Sequence, residues 1–191
     1  MSYKLINTTS GEVKNCYLMS ISRKLEPNTI LAECNAAGVL LASYPISSVD
    51  ICQISVDFAE YALNCSREYL MSKHIKFDNA LACIALCRAW IADSGSVTLK
   101  ELYSAANAAT DGHISAPLRA ADNAANICIE ASAFTHPVLK WNKEYLLNAL
   151  AEVALNNEHL HRYHEGAMSI KRREYTRQGQ FILDYLRTGS I

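Results

Sequence analysis

His159, His161 and His164 crowd one short stretch, His159-Leu-His161-Arg-Tyr-His164, and imidazoles so close together invite a metal reading. On a helix, His161 and His164 would share a face and His159 would point away. Glu158 and Glu165 flank them, but no cysteine or paired acid stands at a standard ligand spacing. Polar side chains near a helix end, where they suit the dipole, are the simpler reading. Cys83 and Cys87 stand at i, i+4, the spacing of half a zinc site, yet they sit among Ala, Ile and Leu and read as small core thiols. Asp57 and Glu60 could do acid–base work as a pair; with Asn64 they more simply form the wet face of an amphipathic helix.

Two other features are better candidates for binding. Arg88 lies inside CIALCRAWIA, where a solvent face is hard to find, and is expected to be a polar anchor, paired with an acid (Asp93, Asp111 or Asp122) or binding carbonyl groups at a helix end. Lys171, Arg172, Arg173 and Arg177, with Tyr175 interleaved, form a basic-aromatic patch suited to phosphate. The chain contains no P-loop, GxGxxG, GxSxG or HExxH pattern.

The composition bounds what these residues can serve. The chain has 191 residues, half of them hydrophobic and 19% charged, with a net charge of −1. That length suits one domain with a terminal extension, and the near-neutral balance creates no long-range field. The 7 cysteines are scattered and odd in number, and the first 20 residues lack the basic start and apolar run of a secretory leader. Reduced thiols in a cytoplasmic protein are expected. No apolar run reaches the roughly 20 residues of a membrane span.

The elements that must position the candidates are mainly α, a single-domain helical bundle with Ala-rich central helices. A short β-hairpin is expected around Thr9-Ser10-Gly11. After Pro27, TILAECNAAGVLLASY reads as a helix ended by Pro45. Ser48 or Asp50 would cap a long amphipathic helix to Ser72. Asp78 or Asn79 opens a second helix, apolar nearly all round and hence expected at the centre. Thr98 and Glu101 make a capping box for a third, and Ser115-Ala116-Pro117 starts a fourth. VLKWNKEYLLNALAEVAL and IKRREYTRQGQFILDYLR complete the series, the last weakened by Gly179. Residues 1–26 read as a hairpin extension, 27–157 as the helical core and 158–191 as a basic helical extension. Alanine supplies about a third of residues 103–133 and lets helix axes approach closely, against Trp90, Tyr103, Trp141 and Leu146. Asn107, Asn123 and Asn126 would lie on the rim of that face or bond across helices.

VDFAEYALNCSREYL, then ALACIALCRAWIADSGSV, then the Ala-rich pair, resemble the small helical immunity proteins of polymorphic toxin systems, the immunity family numbered five. The matching features are Phe58-Ala59-Glu60, the connector 73–78, Arg88-Ala89-Trp90 and residues 104–133, within about residues 28–155. The resemblance implies a non-enzymatic inhibitor, of bacterial or phage origin, that occludes a protein partner: a toxin or a component of a defence system. It implies no cofactor and no catalytic residue. Tyrosine, tryptophan and arginine are the usual hot-spot types, which selects Arg88, Trp141, Tyr163 and Tyr175 as partner-binding residues. The alternative is nucleic-acid binding through Lys171, Arg172, Arg173 and Arg177.

Overall fold

The computed structural model describes residues 1–110, 113–133, 136–159 and 166–188. The chain begins with a four-stranded antiparallel sheet of order β2-β1-β3-β4, built from β1 (Ser2–Asn7), β2 (Val13–Cys16), β3 (Thr29–Cys34) and β4 (Leu40–Ile46). A one-turn helix α1 (Ile21–Lys24) separates β2 from β3. Then follow α2 (Ser48–Ser72), α3 (Asp78–Ala92), α4 (Leu99–Ala109), α5 (Ala116–Ala133), α6 (His136–His159) and α7 (Ala167–Thr188). The fold is mainly α, with the expected N-terminal hairpin as half of its sheet.

The helix expected over TILAECNAAGVLLASY is instead the β3–β4 hairpin. The residues that looked like helix weakeners build its turn. Asn35 Oδ1 accepts from the amides of Ala37 (2.9 Å) and Val39 (3.0 Å), and Gly38 takes φ +80°, a left-handed conformation that glycine adopts without strain. Pro45, expected to end a helix, lies in edge strand β4, where a missing amide is tolerated. β3 pairs with β1 across the residue-26 boundary, so residues from both sides of it share one sheet. The sheet's inner side chains, Tyr3, Leu5, Cys16, Leu31 and Ile46, join the helices in one apolar core.

α2 is capped by Ser47, not by Ser48 or Asp50. Ser47 Oγ accepts the Asp50 amide (3.1 Å), and the Asp50 carboxylate accepts the Ser47 amide (2.8 Å). The Thr98–Glu101 box opens α4 as expected. The Ala-rich α5 is the central helix, packed against α2, α3, α4 and α6. Ala120, Ala121, Ala124 and Ala125 are all fully buried, because a methyl side chain leaves room for neighbours on every side. α3, expected at the centre, is peripheral: Ala80, Cys83, Ile84, Cys87 and Trp90 are buried, while Leu81, Ala82, Ala85 and Ala89 face solvent. Of the expected bulky partners, Trp90 and Leu146 are buried, but Tyr103 is 60% exposed. Asn123 and Asn126 bond along α5 rather than across helices, to Arg119 O (2.6 Å) and Asp122 Oδ1 (2.8 Å).

Six of the cysteines are buried and Cys65 is exposed. The shared hydrogen bond with Cys87 and burial raise the Cys83 thiol, and the hydrogen bond with Cys52 raises Cys128. Hydrogen bonds with Cys128 and Cys83 lower the Cys87 thiol, so burial rather than protonation is what keeps reagent from these six thiols. An alkylating reagent should therefore modify one thiol quickly in the native protein, at Cys65, and all seven in denaturant. Fast native labelling of two or more, counted by mass spectrometry, would contradict this packing.

Burial raises the Glu130 carboxyl, whose Oε1 accepts from Asn142 and whose buried Oε2 has no partner among the described residues. A carboxyl raised on folding contributes stability below its unfolded value, and the contribution is lost as pH rises through the folded one. Chemical melts from about pH 4 to about pH 7 should show wild type losing stability relative to Glu130→Gln. A pH-independent difference would mean that Glu130 keeps an ordinary affinity for its proton.

Candidate binding site

Where α7 crosses α1 and α6, it forms an open cleft of about 420 Å³. Met168, Lys171, Arg172 and Tyr175 line it from α7, Asn148 from α6, Arg23 from α1 and Met19 from the turn before α1. The α7 residues share a wall because positions 168, 171, 172 and 175 follow three- and four-residue steps on one helix face. α1 is placed opposite by Ser22, whose hydroxyl donates to Gln178 Oε1 (3.1 Å), and by Lys143 of α6, whose ammonium donates to Leu25 O. Among the described residues, no carboxylate lines this cleft. A smaller cavity of about 130 Å³ adjoins it at Arg23 and Asn148 and adds Lys143, Glu144 and Leu147.

The Arg23 guanidinium lies 4.0 Å above the Tyr175 ring centroid. Tyr175 is only 9% exposed, so its ring serves as a fixed backing for the arginine more than as a contact surface. Stacking on a ring leaves the in-plane N–H groups of guanidinium available to an oxyanion. Arg23, Lys171 and Arg172 form no ion pair among the described residues, whereas Arg88, Arg119, Arg177 and Arg187 are each held by a carboxylate. That contrast separates this cleft from a larger one of about 480 Å³ between α2, α5 and α6, whose Arg119 is committed to Glu152.

Only part of the expected basic patch assembles. Lys171, Arg172 and Tyr175 meet in the cleft; Arg173 is exposed on α7 outside it. Arg177 turns away to Glu174 (2.8 and 2.6 Å) and stacks over the Tyr61 ring at 3.7 Å. Arg23, Asn148, Met19 and Met168 were not legible as site residues. Nothing local links residue 23 to residue 175, although an arginine beside Lys24 and an isolated Met19 were the available signals.

Arg88 is paired, but with neither Asp93 nor Asp122; Asp111 lies outside the described residues. Its Nη2 donates to Asp57 Oδ1 (2.8 Å) and to Glu60, the carboxylates read as a solvated face, and Gln53 also donates to Asp57 (2.8 Å). The Arg88 side chain is 39% exposed, so this is a bridge at the surface between α2 and α3, not a buried anchor. Arg88→Ala should cost about 1 kcal/mol, well below the 3–5 of a buried pair. A denaturant midpoint shift corresponding to 3 kcal/mol or more would refute that placement.

Trp141 lies on α6 and His159 ends it, but their side chains, like residues Tyr163, His161 and His164, fall outside the described set. Among the described residues, no group of three His, Cys, Asp or Glu could hold a metal ion, and no helix is long and apolar enough to cross a membrane. No family model matches the chain. No curated protein and no solved structure matches it either.

Proposed function

We propose that this protein is a non-enzymatic, cytoplasmic inhibitor that neutralises a protein partner, a toxin or a bacterial defence component, by covering its surface. The observation that carries the reading is the cleft of Arg23, Lys171, Arg172, Tyr175, Met19 and Met168. Arginine and methionine are enriched in protein interfaces, and arginine among hot spots, with Tyr175 backing Arg23. Met168 is 78% exposed, and covering it is worth about 1–2 kcal/mol. The immunity-family resemblance of residues 28–155 points to the same class of protein. Affinity purification from the native host at low salt should recover a stoichiometric protein partner, and Arg172→Glu should release it. Recovery of the free protein alone over a range of salt would remove the reading.

A second reading, nucleic-acid binding, is favoured by one feature: three cations with no carboxylate in their cleft among the described residues. If all three contact phosphate, log affinity should fall with log salt at a slope of about −3 for duplex DNA. A flat titration would exclude it.

A further inference from the structure

Building on the inhibitor reading, we infer that the part of the partner seated between α1 and α7 is an extended acidic-apolar segment. A Glu or Asp side chain meets Arg23, Lys171 and Arg172, and an adjacent apolar side chain lies against Met19 and Met168. The charge complement follows from the lining: three cations, no carboxylate, and no ion pair to the chain's own acids among the described residues. Arg23 is held by its stack on Tyr175, so it can offer two parallel N–H groups to one carboxylate without first being ordered. The two thioethers argue for peptide over phosphate. A phosphate beside Met19 and Met168 would lose water there without gaining a donor, whereas an aliphatic side chain gains contact. Asn148 supplies an amide with both donor and acceptor, the complement of a peptide group. At about 420 Å³, the space falls within the roughly 300–1,000 Å³ of sites for drug-sized groups, enough for a few residues of extended chain.

The test uses the full chain and fluorescence anisotropy at low salt. The probes are a labelled peptide alternating Glu and Leu, its Gln counterpart, a single-stranded oligonucleotide of equal charge, and tripolyphosphate. The Glu peptide should bind at least about tenfold tighter than the Gln peptide and tighter than either phosphate probe. Arg23→Ala and Arg172→Ala should each weaken it about tenfold. Arg67→Ala, at an exposed α2 position outside the cleft, should leave it unchanged. Circular-dichroism melts of each variant separate lost binding from lost folding; if one alanine variant unfolds, the lysine variant at that site takes its place. Equal binding of the Glu and Gln peptides, or tighter binding of the oligonucleotide or tripolyphosphate, overturns the proposal. Purification from host lysate separates its failure from that of the broader reading. A partner captured equally by wild type and by the Arg23→Ala, Arg172→Ala double variant rejects the acidic segment alone; no partner on wild type rejects the inhibitor.

Discussion

Gly179→Ala should destabilise the protein by about 3 kcal/mol or more, a shift of about 6–12 °C in Tm for a domain of this size. Helix propensity alone predicts the opposite sign, because alanine is favoured over glycine inside a helix by about 1 kcal/mol. Packing decides the outcome. A Cβ at residue 179 would stand 2.0 Å from Leu18 O and 2.9 Å from Leu18 C, both backbone atoms of the turn Leu18–Ser20. Real Cβ atoms do not approach that closely, and backbone cannot swing aside as a flexible side chain can. The turn would have to leave α7, and with it the Ser22–Gln178 bond and the Arg23–Tyr175 stack that shape the cleft. Gly166→Ala is the control: among the described residues nothing lies within 4 Å of its added Cβ, so it should stay within about 0.5 kcal/mol. Equal thermal melts for the two variants would show that α7 does not touch this turn in solution.

Arg187→Ala should cost about 2–3 kcal/mol, because it strands a buried acid rather than because it removes a surface cation. Arg187 Nε and Nη2 meet Glu33 Oε1 and Oε2 at 3.0 Å each, a two-pronged pair joining the end of α7 to central strand β3. The Glu33 side chain is 5% exposed and the Arg187 side chain 36%. Solvent at the arginine lowers the value below that of a fully buried pair, but the carboxylate has no comparable access to water. Its hydrogen bonds to Glu33 raise the Arg187 guanidinium further above its ordinary range. The double variant Arg187→Ala, Glu33→Gln should recover much of the loss, since it removes the orphaned charge. Denaturant midpoints of the four proteins measure the coupling, and additive effects of the two changes would mean that the pair is not formed.

These two residues show how much of the chain is legible before folding. The tail helix could be read from its repeat of apolar positions, and Gly179 counted only as a flaw in it. The glycine's purpose is a contact with residue 18, far away in sequence. Arg187 stands in the last turn of the tail helix, and its partner Glu33 lies in the segment expected to be helical. Arg88 was expected to find an acid and does, but at Asp57 and Glu60 of the preceding helix rather than on its own connector or α5.

α2 to α7 and the Thr98–Glu101 cap were legible in the residue pattern, because those depend on residues within one or two turns of each other. The pattern also marked an apolar run from Thr29 to Tyr44, read as helix, without setting its period. That this run is a hairpin rests on long-range pairing: a short apolar stretch suits either period, and the choice was made by backbone pairing with β1, whose residues lie more than twenty positions earlier. Tertiary structure also decided which helix is central. α5 takes that place over the more hydrophobic α3 because methyl side chains allow four neighbours to close around it. The cleft itself is a product of packing, since its cations come from α1 and α7 and no local rule brings position 23 to position 175.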